Sequence, residues 1–157
     1  MSTALQQYIV PRYRIALVRE GEHPARFPEA CTCTKKAQII CEEYFQDVDR
    51  EHFVMIALDT KNKIIGFHVV SIGTLNETLT HPREIFKAAF MMNAARIILA
   101  HNHPSGDPTP SDVDIAITKR LCTAGRLLDV PVLDHIIVGE HRSVSFADPE
   151  YGYIKEE

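Results

Sequence analysis

Apolar positions along the chain switch repeatedly between a helical and an extended spacing. Ala37, Ile40, Cys41, Tyr44, Phe45 and Val48 recur at i, i+3, i+4, i+7, i+8 and i+11. They form one stripe on a helix that begins near Lys35, with Thr34 as its N-cap. Phe53–Asp59 (FVMIALD) is apolar on both faces, and Ile64–Ile72 (IIGFHVVSI) follows after the polar turn Thr60-Lys61-Asn62-Lys63. The pair reads as an antiparallel hairpin whose first strand lies inside a sheet. His81-Pro82-Arg83-Glu84 opens a second helix. His81 caps it, Pro82 suits the first helical position, and Glu84 sits at the positive end of the dipole. Ile85, Ala88, Ala89 and Met92 supply its buried face.

Arg96–Ala100 is a short buried strand that delivers His101 at its end. A third helix then starts with Thr109 as cap and Pro110 at the first position, with Asp112 three residues after the cap. Its core stripe is Val113, Ile117, Leu121, Ala124 and Leu128. Pro131–Val138 and Ser143–Phe146 add two more strands. Near the start, Tyr13–Val18 (YRIALV) fits a short strand, and Pro24 and Pro28 make Gly21–Thr34 a loop. The order α-β-β-α-β-α-β-β predicts an α/β fold with a single mixed sheet flanked by helices. Residues 1–34 form a strand-and-loop extension, 35–148 the domain, and 149–157 a tail.

A chain of 157 residues suits one domain with its own core and needs no disulfide. Its formal net charge is −4, with 17 basic and 21 acidic residues, which does not support a nucleic-acid partner. The one basic cluster, Arg12, Arg14 and Arg19, reads as the solvated face of a strand. Cys31 and Cys33 form C-x-C without a second pair at finger spacing, which argues against a structural zinc. Cys41 and Cys122 lie on apolar helix faces as small core residues. Reduced thiols and a cytoplasmic setting follow. No apolar run approaches a membrane span, and the first residues lack the apolar block of a signal peptide.

The chemistry lies in HNHPSGDPTPSDVD, residues 101–114. Histidines at i and i+2 on an extended chain point to one side, so His101 and His103 can chelate a single ion. Ser111 and Asp114 share a face on the opening turns of the following helix. Asp114 can therefore complete a three-ligand site with one open position, the arrangement of a catalytic zinc. A cation held this way lowers the pKa of bound water and polarises a carbonyl. Ser111 reads almost equally well as a helix-start serine meeting a backbone N–H. Pro104, Gly106, Pro108 and Pro110 stiffen the loop between the ligands.

The run H-x-H-P-x(6)-S-x(2)-D resembles the JAMM (JAB1/MPN+) metalloprotease motif. GTLNETLTHPREIFKAAF, ILAHNHPSGDPTPS and LDHIIVG more narrowly resemble the bacterial RadC family. The resemblance runs from about Lys36 to Phe146. It implies a three-layer JAB1/MPN (cytidine-deaminase-like) fold and a zinc-dependent hydrolase of peptide or isopeptide bonds. Glu51, just before the first core strand, would act as general base, and Ser111 would help hold the oxyanion. Glu42, Glu43 and Glu77 are weaker candidates for the base. His135 matches a residue typical of RadC proteins, and reads either as an aid to a ligand or as a strand histidine satisfied by its neighbours, the second being favoured. His52, His68 and His141 take strand or turn positions. Longer RadC proteins carry a helix-hairpin-helix segment before this domain, and too few residues precede Lys35 to hold one.

Two other functions compete with the hydrolase. One is a non-catalytic RadC-like scaffold or DNA repair and recombination accessory; such proteins often lose ligands or base, and here all are present. The other, a metal-dependent nuclease suggested by the letters H-N-H, is weaker. The nuclease motif of that name spreads its residues across a ββα unit, whereas His101, Asn102 and His103 are consecutive.

Overall fold

The computed structural model describes residues 30–73 and 81–154, together with positions 16, 18 and 21. Most of the expected strand at 13–18, the basic cluster and Glu77 therefore lie outside the described residues, as does most of the loop at 21–34. The elements are α1 (Thr34–Tyr44), β1 (His52–Leu58), β2 (Ile64–Ile72), α2 (Pro82–Met91), β3 (Arg96–Asn102), α3 (Asp112–Leu127), β4 (Val132–Val138) and β5 (Ser143–Ser145). This is the expected succession of helices and strands. The strands form one mixed sheet in the order β2-β1-β3-β4-β5. β1 pairs antiparallel with β2 and β3, β4 runs parallel to β3, and β5 returns antiparallel on β4. The chain is an α/β domain with a single mixed sheet flanked by helices, as the sequence predicts.

Strand alternation divides the core into two layers. Val54, Ile56, Leu58, Ile98, Ala100, Ile136 and Val138 pack with Ala37, Ile40, Cys41 and Phe45 on the α1 side. Phe53, Met55, Ala57, Ile97, Leu99 and Val132 pack with Ile85, Phe86, Ala88, Ala89 and Leu121 on the α2–α3 side. β1 is buried on both faces because both layers need it, as its unbroken apolar run requires. It stops at Leu58 since Asp59 is spent on the turn, accepting from the Lys61 and Lys63 amides at 2.8 and 2.9 Å.

Element ends depart from expectation where capping decides them. Cys33, not Thr34, is the N-cap of α1, and its side chain makes no capping bond. His81 caps α2 as expected, its Nδ1 accepting from the Arg83 amide at 3.2 Å. α3 begins two residues late, with Ser111 rather than Thr109 as N-cap. Its buried face is Asp114, Thr118, Leu121 and Gly125, while Val113 and Leu128 are exposed. A Cβ at Gly125 would stand 2.6 Å from the Val130 carbonyl oxygen, so glycine is what lets α3 approach the chain entering β4.

Residues at both expected domain boundaries pack with the domain. Cys31 is buried in the α1-side layer, and the Ile154 amide donates to the Phe146 carbonyl at 3.0 Å. The four cysteines carry free thiols. Among the described residues, no helix is long and apolar enough to cross a membrane.

Candidate metal centre

In open α/β sheets, sites gather at the carboxyl ends of parallel strands. β3 and β4 are the parallel pair, and Asn102 and Val138 mark that end. Along β3 the residues facing α3 are Ile97, Leu99 and then His101, which is completely buried. His103 follows one pleat later, with its amide donating to the Val138 carbonyl at 2.9 Å. Its Nδ1 lies 2.7 Å from the Asp107 carbonyl oxygen. Only a protonated Nδ1 can make that contact, so in the neutral ring Nε2 carries the lone pair.

The loop that follows is stapled in place. Gly106 adopts φ +82°, a region that favours glycine, and accepts at its carbonyl from the Glu140 amide at 3.0 Å. Asp107 Oδ1 accepts from the Thr109 amide and hydroxyl at 3.1 and 2.7 Å and from Arg142 Nη2 at 3.2 Å. Thr109 therefore belongs to an Asx turn, which is why it does not cap α3.

Ser111 and Asp114 form a capping box. The Asp114 amide donates to Ser111 Oγ at 3.2 Å, and the Ser111 amide donates to Asp114 Oδ2 at 2.8 Å. The Ser111 hydroxyl gives its proton to the same Oδ2 at 2.6 Å. Two donors thus occupy Oδ2 and leave Oδ1 toward His101 Nε2, 3.2 Å away. His101 Nε2 and His103 Nε2 stand 3.0 Å apart, and Asp114 Oδ2 is 3.6 Å from His103 Nε2. One donor atom from each of the three residues lies within 4.8 Å of the others. Two imidazole nitrogens and one carboxylate oxygen, drawn together at a strand end and a helix start, fit a divalent cation.

Electrostatics match that geometry. Burial penalises the charged form of Asp114, yet hydrogen bonds from His101 and His103 in their protonated forms, the His101 charge and the Ser111 hydroxyl outweigh it, and the carboxyl is held well below the usual range. The Asp114 hydrogen bond raises His103 against the opposing cost of burial, with the Asp107 carbonyl and the charges of Asp114 and Glu51 adding to it. Burial, with the His101 charge behind it, pushes His135 far below the ordinary histidine value.

Glu51 immediately precedes β1, is half-buried, and stands near enough for its charge to act on His103. Its carbonyl accepts from the Gly73 amide at 2.8 Å. The Asn102 side chain grips the chain on either side of it. Oδ1 accepts from the His52 amide at 2.8 Å, and Nδ2 donates to the Arg50 carbonyl at 3.0 Å. Glu42 instead accepts from the Ser143 hydroxyl at 2.7 Å. His141 is exposed beside Glu140.

Sequence reasoning overlooked two residues here, Asn102 and Thr118. Asn102 offered one signal, a polar residue inserted between two ligands. Thr118 offered only its position one helical turn after Asp114.

A family model described as "RadC-like JAB domain" matches residues 31–151. The chain belongs to this family. Its relatives include UPF0758 proteins of Bacillus cereus, 44% identical over 94% of this chain, and of Desulforamulus reducens, 48% identical over 78%. A third, from Caldanaerobacter subterraneus subsp. tengcongensis, is 50% identical over 69%. The aligned segments cover 63%, 54% and 47% of those relatives, so the chain spans about half to three fifths of their length. In this RadC-like JAB domain the H-N-H run thus serves two neighbourhoods. Its histidines converge with Asp114, and its asparagine secures the chain around Glu51.

Proposed function

We propose that this RadC-like domain is a hydrolase of peptide or isopeptide bonds, with zinc as its cation and cytoplasmic peptides or protein conjugates as its substrates. The convergence of His101 Nε2, His103 Nε2 and Asp114 Oδ1 carries the reading. Those three atoms would hold the ion, and a zinc ion there would polarise a carbonyl and bring the pKa of water near 7. Glu51 receives a proton from the attacking water and returns it to the departing amine. Ser111 steadies the developing oxyanion by turning its O–H away from Asp114 Oδ2, while its own amide keeps that oxygen occupied. A net charge of −4 lends no support to a nucleic-acid partner.

The test is Glu51→Gln in the zinc-loaded chain, assayed against a panel of peptides and isopeptide-linked conjugates. Zinc stays bound and turnover falls by roughly 10²–10⁴. Undiminished turnover would remove Glu51 from the mechanism. Stoichiometric zinc without cleavage of any panel member by the unaltered protein would favour the scaffold reading. Metal-dependent nicking of plasmid DNA that vanished in His103→Ala would favour the nuclease.

A further inference from the structure

His135 lies on β4 beside His101 and is completely buried. Its Nε2 is 2.8 Å from His101 Nδ1, and its Nδ1 is 2.6 Å from Thr118 Oγ1. Thr118 sits one turn after Asp114 on α3, and its hydroxyl donates to the Asp114 carbonyl at 2.6 Å. These contacts join the metal-site histidine to the backbone of the metal-site aspartate through two residues that do not belong to the triad.

Counting protons along the chain gives it a direction. A hydroxyl has one proton, and Thr118 has given its own to the Asp114 carbonyl, an acceptor no side-chain chemistry can reverse. Thr118 Oγ1 is left to accept from His135, so the His135 proton sits on Nδ1. The ring is enclosed by Phe53, Phe146 and His101, and its bonds in the described structure are to Thr118 and His101. A neutral imidazole has no second proton, so His135 Nε2 accepts, and the donor must be His101 Nδ1–H. In the neutral ring the lone pair of His101 then falls on Nε2, the atom facing His103 Nε2 and Asp114 Oδ1. Reversing any link would put a proton where the cation belongs.

We infer that Thr118 and His135 form a tautomer relay that sets His101 with its Nε2 lone pair toward the metal. This rests on the metal-centre reading above, and both residues are positioning residues that touch neither ion nor substrate. The arrangement makes Asp114 act twice. Its carboxylate serves as a ligand, and its carbonyl, through the relay, orients a second ligand. The favoured sequence reading of His135, a strand histidine satisfied by its neighbours, describes its bonds but leaves out their direction.

The relay is tested with the full chain and zinc alone as the probe. Long-range nitrogen-15 correlation spectra should place the His135 proton on Nδ1 in the wild type with and without zinc. Thr118→Val keeps the side-chain shape but removes the hydroxyl. In that variant His135 shifts toward the Nε2–H form, and zinc affinity, read by competition with a chelator, drops roughly 10–100-fold. Thr118→Ser restores the hydroxyl and should return both readouts toward wild type, which a role in packing alone would not do. If Thr118→Val is too unstable to purify, the wild-type and Thr118→Ser spectra decide by themselves. An Nε2–H tautomer at wild-type His135 overturns the relay, as does equal zinc affinity in wild type and Thr118→Val. Both results leave a zinc-binding wild type and its metal centre intact. A wild type that takes up no zinc overturns the metal centre and the relay together.

Discussion

Two aspartates, one on each side of the sheet, are both almost closed to solvent, Asp134 the more deeply packed, and behave in opposite ways. Asp114 and Asp134 are each 3% exposed, and each accepts a serine hydroxyl at Oδ2, Ser111 at 2.6 Å and Ser145 at 2.7 Å. Burial raises the Asp134 carboxyl to about 6, even though Ser145 and the Ala147, His135 and Phe146 amides favour its charge. Asp114 goes the other way because two imidazoles stand within 4 Å of its oxygens. Hydrogen bonds from a hydroxyl and backbone amides thus do not outweigh burial at Asp134, whereas hydrogen bonds from two imidazoles, with the His101 charge behind them, do so at Asp114. Asp134 reads as structural, tying β4 to β5 and the residues after it. Asp114 reads as a group waiting for a positive partner.

The largest expected effect separates the two by chemistry. Asp114→Asn replaces the anionic ligand with a neutral amide, and the protein should no longer take up stoichiometric zinc at micromolar concentration in equilibrium dialysis. Asp134→Asn should bind zinc like the wild type. Equal zinc contents in the two variants would erase the distinction. A metal assay is the right readout, since both changes touch buried hydrogen bonds and both cost some stability.

The next effect concerns pH. The folded pKa of Asp134, about 6, lies above the unfolded value near 3.8. Between those values the native state binds more protons than the unfolded state, so stability falls as pH rises from about 4 to about 6. The loss attributable to this one group is on the order of 2 kcal/mol. Denaturant titrations of zinc-free protein across that window should show the decline, and Asp134→Asn should flatten it. Asp114 has the opposite sign: its contribution is present above the ordinary carboxylate range and is lost only as pH falls well below it. A window that stays just as steep in Asp134→Asn would assign the effect to another group.

The contrast also explains what could be read from the chain beforehand. The succession of elements was legible because strand alternation and helical stripes are written in apolar residues, as in β1 and along Ala37, Ile40 and Cys41. His101, His103 and Asp114 were legible because the motif spacing encodes a strand end and a helix start. The face of α3 was not. Its buried side carries Asp114, Thr118 and Gly125 beside a single leucine, and a pattern built on apolar residues cannot see polar groups buried for the sake of a site. The start of α3 was misplaced for a similar reason. Thr109-Pro110 resembles a cap and first turn, but Thr109 is bonded to Asp107. The Thr118–His135 contact joins residues 17 apart in sequence where α3 packs on β4, and no local spacing announces it.

The smallest effect divides the two roles of Ser111. As N-cap it is worth about 1 kcal/mol, so Ser111→Ala should lower the unfolding free energy by that amount, and Ser111→Thr should recover most of it. Zinc affinity should change less than tenfold, because the backbone amide of residue 111 still donates to Asp114 Oδ2 in the alanine variant. Stability and metal affinity together thus measure the hydroxyl's structural work. If turnover in Ser111→Ala falls no further than zinc occupancy does, that work is all the hydroxyl contributes and the oxyanion role is gone. A fall of tenfold or more at full occupancy means that the proton donated to Asp114 in the resting site moves to the substrate during the reaction. Among the described residues no candidate cation site lies beside Ser145, so the serine of Asp134 is offered no such second use.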